Sequence, residues 1–188
     1  MKKFLLPLVL AVAATINTES CDPETIVLAE QMLDDMNEML TNGNKYEFND
    51  CTLVIRDNAD LISDSEEAKI VSHLTSYCQQ SECDILLMTT NEVGLSSMSP
   101  GVTYAEIYLP KDSEEWACFT YDVRRDCYSY DCSGEKSRAA CAGSNGDAIL
   151  NAGSSHFRHD EYAEGLEAMA ELFLKNVTNQ KGNKRRLP

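Results

Sequence analysis

Two sets of side chains in this 188-residue chain have the types and spacing of a site: a group of aspartates and eight cysteines. Asp57, Asp60 and Asp64 fall within the stretch Asp57-Asn-Ala-Asp-Leu-Ile-Ser-Asp-Ser-Glu-Glu67, and Asp122 and Asp126 flank a second turn. Calcium takes about six to eight oxygen ligands, carboxylates among them. If the strands that enter the two turns lie side by side, Asp57, Asp60, Asp122 and Asp126 gather at one end of a sheet and can hold such an ion. The plainer account is that each aspartate builds its own turn or caps a helix, because short acidic side chains accept from nearby backbone N–H groups. No other cofactor is suggested. The three histidines offer less: His156-Phe-Arg-His159 spaces two imidazoles for a metal without a third ligand, and His73 lies among polar positions, as a surface residue would.

The cysteines stand at 21, 51, 78, 83, 118, 127, 132 and 141, and their meaning depends on compartment. Lys2 and Lys3 precede an apolar run from Phe4 to Ala14, and Ala11-Val-Ala13 supplies a small-x-small cleavage signal, so residues 1–20 read as a secretion signal. The run is shorter than the ~20 apolar residues a membrane span needs. A lipoprotein signal ending at Cys21 would want aliphatic and small residues where Thr18-Glu-Ser20 stands. In an exported chain an even number of cysteines favours disulfides. Zinc is the alternative: four residues separate Cys78 from Cys83, and four separate Cys127 from Cys132. Neither is a Cys-x-x-Cys pair, however, and no nearby histidine completes a tetrahedral set. All eight cysteines are therefore expected in disulfides, with the pairing open: Cys21, Cys51, Cys78, Cys83, Cys118, Cys127, Cys132 and Cys141.

Charge narrows the partners. The chain carries 16 basic and 31 acidic residues, a formal net charge of −15, and loss of Lys2, Lys3 and Glu19 with the leader makes it −16. Nucleic acid and anionic membranes would repel such a surface, which leaves cations, basic proteins or simple solubility. The expected partner is a protein at a cell surface, and no segment after the leader is apolar enough to span a membrane. Asn176-Val-Thr178 is an N-glycosylation acceptor in an exported eukaryotic protein.

These side chains need elements to position them. Cys21-Asp-Pro-Glu opens a helical pattern whose apolar stripe is Ile26, Ala29, Met32, Leu33, Met36, Met39 and Leu40, ended by Asn42-Gly43-Asn44. Thr52 to Ile55 is a short strand. Ser63-x-x-Glu66 is a capping box at the start of a helix carrying Ala68, Ile70, Val71, Leu74, Tyr77 and Cys78 at helical spacing. Ile85-Leu-Leu-Met88 is continuously apolar, as a strand covered on both faces is. Asn91 to Gly101 reads as a loop, and Val102 to Leu109 fits either a strand or a helix that Pro110 ends.

Trp116 to Cys132 reads as a hairpin turning at Arg124-Arg125. That register sets Ala117, Phe119 and Tyr121 opposite Cys132, Tyr130 and Tyr128, with Cys118, Thr120, Asp122, Cys127 and Asp131 on the other face. Glu135 to Ala142 and Asp147 to Ala152 are short helices split by Gly143-Ser-Asn-Gly146. Asp160 caps a final helix whose buried stripe is Tyr162, Leu166, Met169, Ala170, Phe173 and Leu174. Residues 177–188 form a basic, disordered tail. No Gly-x-Ser-x-Gly, phosphate loop or His-Glu-x-x-His occurs in the chain.

The Asp57 to Glu67 stretch, a helix, and then Asp84-Ile-Leu-Leu-Met-Thr-Thr90 together resemble the opening of the TPM domain. That domain is shared by thylakoid-lumen phosphatase-like proteins, photosystem repair proteins and bacterial exported proteins. Asp122-Val-Arg124 with Tyr128 and Gly134 resembles its strand pair ending in glycine. Phe157-Arg-His-Asp-Glu-Tyr-Ala-Glu-Gly-Leu166 resembles the run into its last helix. Cys21-Asp-Pro-Glu, Trp116-Ala-Cys118, Gly134-Glu-Lys-Ser-Arg138 and Tyr162-Ala-Glu-Gly-Leu166 are similar to the branch called the modulator of levamisole receptor family. The resemblance covers residues 21 to 175. Either the Cys21 helix or the helix after Asp57 aligns with the family's first helix; the second is preferred, because a strand follows it after a connection of about 2 to 6 residues, and the Cys21 helix is then an addition that a Cys21–Cys51 bridge would staple.

The expected fold is a single α/β domain with a central mixed sheet, helices on its faces and disulfides holding it. Residues 51–176 form that domain, and residues 21–50 form an N-terminal helix and linker. The expected function is that of a secreted, non-enzymatic interaction module, an accessory or modulatory factor for a membrane receptor or channel. The resemblance also allows a TPM-type phosphatase, for which the sequence shows no nucleophile. The aspartates allow a calcium-binding extracellular structural domain.

Overall fold

The computed structural model describes residues 44–48, 51–91 and 100–184. The leader, the Cys21 helix, Cys21 itself and the last four residues lie outside the described residues. Five strands form one sheet in the order β1 to β5: β1 (Asn44–Phe48), β2 (Cys51–Asp57), β3 (Asp84–Thr90), β4 (Trp116–Asp122) and β5 (Cys127–Ser133). The two central pairings, β2 with β3 and β3 with β4, are parallel, and the two outer ones are antiparallel. The sheet is thus mixed, as expected. Ile85 to Thr90 of β3 are all buried, because helices cover both faces there.

Helix α1 (Asp64–Ser81) starts at the capping box the sequence signals: Ser63 N–H donates to Glu66 at 2.8 Å and Glu66 N–H donates to Ser63 Oγ at 3.4 Å. Its buried residues Ile70, Leu74, Cys78 and Ser81 repeat at three to four and face the sheet. Glu82, at φ +54, ends it and returns the chain to β3. Helix α2 (Pro100–Tyr108) settles the ambiguous stretch as helix and starts inside what reads as loop. Its Tyr104 and Ala105, with Leu109 just past its end, bury Val54, Leu86, Met88 and Cys118 on the opposite face from α1. Both crossovers step in the same direction across the sheet yet place their helices on opposite faces, so the two have opposite hands. The usual right-handed rule holds for only one of them.

The hairpin has the expected register, with Ala117, Phe119 and Tyr121 opposite Cys132, Tyr130 and Tyr128. After it come α3 (Glu135–Ala140), α4 (Ser144–Phe157) and α5 (Tyr162–Lys184). Helix α4 is longer than its apolar pattern suggests, because it begins within Gly143-Ser-Asn-Gly146 and runs to Phe157. Asp160 does not cap α5. It sits at φ +60, while Glu161 N–H reaches back to the His156 carbonyl at 3.1 Å, so Asp160 is the left-handed residue that closes α4. Helix α5 buries Leu166, Met169, Ala170, Phe173 and Leu174 as expected, against a core that includes Leu53, Ile55, Ile85, Leu87 and Phe119.

Candidate functional site

The strand register brings the candidate aspartates to one end of the sheet. Asp57 pairs with Thr89 across β2 and β3, and Thr90 pairs with Asp122 across β3 and β4. This is the carboxyl end of the three parallel strands, the place where open α/β sheets bind ligands. The aspartates reach the same end but not the same face. Asp57 shares the face covered by α1 and α5 with Thr89, whereas Asp122 follows Tyr121 and falls on the other side.

Each carboxylate is engaged locally. Asp57 accepts Leu61 N–H at 3.0 Å, Ile62 N–H at 2.7 Å and the Thr89 hydroxyl, tying the β2–α1 turn to β3. Asp122 accepts Arg124 N–H at 3.0 Å and Arg125 N–H at 3.2 Å, with the Arg125 guanidinium 3.6 Å away. Asp126, at φ +47, accepts the Tyr121 hydroxyl at 2.7 Å, and burial followed by this bond raises the phenol's pKa. Asp60, at φ +55, is a turn residue, and Asp64 begins α1. Among the described residues no group of three or more His, Cys, Asp or Glu side chains is arranged to hold a metal.

Behind the acidic end lies an aromatic stack. The Phe157 ring lies 5.0 Å from Tyr121 and 4.6 Å from Tyr128, and Tyr162 lies 4.8 Å from Tyr121. The hydrophobic contacts expected of a hairpin face thus continue into the α4–α5 corner, which fixes the turn bearing Asp126.

The opposite end carries features the sequence reading does not single out. Glu115 accepts Lys136 N–H at 3.1 Å, Ser137 N–H at 2.9 Å and the Ser137 hydroxyl at 2.9 Å, so it is the cap of α3 supplied from another part of the chain. Burial opposes its ionisation, but these donors and the Lys136 charge outweigh it and hold its pKa below the usual range. Gly134, at φ +98, lets the carboxylate approach, since an added Cβ would strike it. Glu115 sits in an exposed connection, and no local pattern marks it. At the acidic end, next to Asp57, Arg56 was detectable as a charge in an apolar strand: it is 2% exposed, and its guanidinium lies 4.4 Å above the Tyr108 ring of α2.

The histidines are not brought together as ligands. His156 Nδ1 lies 2.8 Å from Glu161 Oε2, and His159 Nδ1 lies 2.7 Å from the Ser155 carbonyl. His73 is exposed, as read, and bridges Glu167 and Glu171 of α5. Asn176 is half-buried on α5 and donates Nδ2 to the Ala140 carbonyl at 3.3 Å, so a glycan there would stand against α3. The seven described cysteines carry no sulfur–sulfur bond in the structure. Cys83 and Cys118 are buried, and burial pushes each thiol up to about 12. No helix among the described residues is long and apolar enough to cross a membrane.

No protein-family model matches the sequence, and no curated protein matches it. Solved structures do match the fold. The solution NMR structure of the N-terminal domain of a protein from P. gingivalis aligns with a TM-score of 0.56 at 15% identity, covering 67% of this chain and 82% of that one. The N-terminal domain of the cg2496 protein from Corynebacterium glutamicum aligns with a TM-score of 0.51 at 14% identity, covering 64% and 77%. At such identities the likeness is one of fold.

Proposed function

We propose that the chain is a secreted, TPM-like interaction module without catalytic function, acting as an accessory factor for a membrane receptor or channel. The observation that carries this reading is the use made of the acidic end. Asp57, Asp122 and Asp126 are spent on bonds that fix the loops there, which yields a rigid rim, with Arg124 and Arg125 standing between Asp122 and Asp126, rather than a carboxylate poised to exchange a proton or attack a substrate. On a chain of net charge −15, a preorganised rim suits a basic patch on a protein partner, where charge complementarity speeds and orients docking. Support also comes from the two matched folds, each the N-terminal domain of its protein, an architecture in which such a unit serves as a module. The branch similar to this chain at Cys21, Trp116 and Tyr162, the modulator of levamisole receptor family, supplies the receptor-modulator part of the proposal.

Proximity labelling of the secreted protein on its native cell surface tests the reading, with a membrane receptor or channel as the expected product. Charge reversal of the rim, Asp122→Lys with Asp126→Lys, should abolish that labelling. Hydrolysis of a generic phosphomonoester that is lost in Asp57→Ala or Asp122→Ala would instead establish the phosphatase alternative.

A second reading, calcium binding, is favoured by the register that sets Asp57 and Asp122 at the same end of the sheet. It requires a melting temperature that millimolar calcium raises beyond the effect of sodium chloride at equal ionic strength.

A further inference from the structure

We propose that Cys132 and Cys141 form a disulfide that staples the outermost strand of the hairpin to the end of α3. Cys132 lies on β5 opposite Ala117, on the face covered by α1 and α5. Cys141 ends α3, where its N–H reaches the carbonyls of Ser137 and Arg138, each at 3.2 Å. The two thiols are neighbours, each the largest influence on the other's ionisation, and the Tyr130 hydroxyl and the Cys141 carbonyl both border the Gly146 backbone, which brings the strand to the end of α3. Each cysteine is held by its own surroundings. Strand pairing fixes Cys132, the Glu115 cap fixes α3, and the Cys141 carbonyl lies 2.9 Å from where Gly146 would carry a Cβ, so α4 packs directly on it. Neighbouring thiols carried on independently fixed backbones are the arrangement from which a bridge closes.

Three other described cysteines are placed differently. Cys83 meets Ser137 Oγ at 3.4 Å, and Cys118 meets Thr120 Oγ1 at 3.5 Å on the opposite face of the sheet. Cys127 is exposed at the far end of β5. Cys132 and Cys141 are half-buried, so an oxidant can reach them. The neighbouring Cys141 acidifies the Cys132 thiol against the effect of partial burial, with help from the Arg138 charge, whereas Cys132 raises Cys141.

The chemistry is thiol–disulfide exchange with a low-molecular-weight disulfide, of which glutathione disulfide is the simplest. The Cys132 thiol gives its proton to solvent, and the thiolate attacks one glutathione sulfur. The glutathione S–S bond breaks, and one glutathione thiolate leaves and is protonated. Cys141 then gives up its proton, and its sulfur attacks Cys132 in the mixed disulfide, expelling the second glutathione. The protein sulfurs lose two electrons in all, and the glutathione disulfide gains them.

In the cell this inference rests on the export reading, since the oxidant belongs to a secretory compartment. The test has two arms. Purified protein is reduced, oxidised in glutathione buffer, alkylated without reduction and digested with trypsin. Cleavage after Arg125, Lys136, Arg138 and Arg158 gives peptide 126–136, with Cys127 and Cys132, and peptide 139–158, with Cys141 alone. The two are expected linked in the wild type and in Cys127→Ser, and unlinked in Cys132→Ser. Cleavage of the native protein at Lys136 and Arg138 should slow about tenfold on oxidation, as local opening of α3 is suppressed. Wild-type protein whose Cys141 is alkylated, or linked to any peptide other than 126–136, overturns the pairing. The second arm maps protein recovered from the medium of secreting cells, where the same link is expected. A link formed in buffer with free thiols in the cell-derived protein upholds the pairing and sinks the export reading.

Discussion

Asp57 illustrates how one side chain can read as a ligand in the sequence and serve as a brace in the fold. Its two oxygens hold Leu61 N–H, Ile62 N–H and the Thr89 hydroxyl, so it joins the turn before α1 to the end of β3. Asp57→Ala leaves those donors to find partners elsewhere, and should cost about 2 kcal/mol of unfolding free energy in a urea titration. Asp57→Asn keeps one acceptor oxygen and should cost less than half as much.

Glu115 makes a pH-dependent contribution. Its folded pKa lies below the ordinary glutamate value of 4.5, so the stability it provides is fully present above that value and is lost as pH falls through the folded pKa. Wild-type melting temperature should therefore drop more steeply than that of Glu115→Gln as pH is lowered from 4.5, and the two curves should run parallel at neutral pH. Parallel curves throughout would show that the cap does not bias ionisation. The sequence made Asp57 visible because acidic residues cluster there. It hid Glu115 because that cap acts on an α3 that begins some twenty positions downstream, a contact set by the hairpin and not by local spacing.

The elements that were legible are those whose burial is one-sided or complete. The hairpin register follows from a period-two pattern with a buried face, since a one-residue slip would turn Phe119 and Tyr130 outward. The run Ile85 to Met88 and the stripes of α1 and α5 were readable for the same reason. Strand β1 was not, because Asn44-Lys-Tyr-Glu-Phe48 is an edge strand, mostly exposed, whose only apolar residues are Tyr46 and Phe48. Helix α2 was ambiguous because Val102, Tyr104 and Tyr108 favour strands, while tertiary packing over Val54, Leu86 and Met88 decides for helix.

The boundary between α4 and α5 depends on glycines that no periodicity scores. A Cβ on Gly165 would lie 2.7 Å from Phe157 Cζ, and one on Gly153 would lie 2.7 Å from Phe157 Cε2 and 2.9 Å from Met169 Sδ. Phe157 cannot yield easily, since its ring is stacked on both Tyr121 and Tyr128. Helix propensity alone would make Gly165→Ala favourable by about 0.5–1 kcal/mol. Overpacking against a fixed ring costs about 1–3 kcal/mol and should win. The expected result is a net loss of about 1 kcal/mol and a melting temperature lower by about 3 °C. Gly165→Ala combined with Phe157→Leu should recover part of that loss, because the obstructing ring is gone.

For the molecule as a whole, the dominant quantity is a net charge of −15 on 188 residues. The described ion pairs are few and exposed, such as Lys45 with Glu47 at 2.6 Å and Lys175 with Glu171 at 2.7 Å, and pairs of that kind contribute little. Most of the acidic surface therefore repels itself in the compact state and less so in the expanded one. Added salt shortens the range of that repulsion from about 30 Å at 0.01 M to about 8 Å at 0.15 M, which relieves the folded state more than the unfolded one. The melting temperature should rise by a few degrees over that interval in sodium chloride. The opposite sign would mean that favourable pairs outweigh the repulsion. The same screening acts on a basic partner at the acidic rim, with opposite consequence: its association rate should fall steeply over the interval in which the protein itself grows more stable. Loss of stability and loss of binding are thereby separable in a single salt titration, since a variant such as Asp122→Lys should flatten the binding curve while leaving most of the melting curve's slope in place.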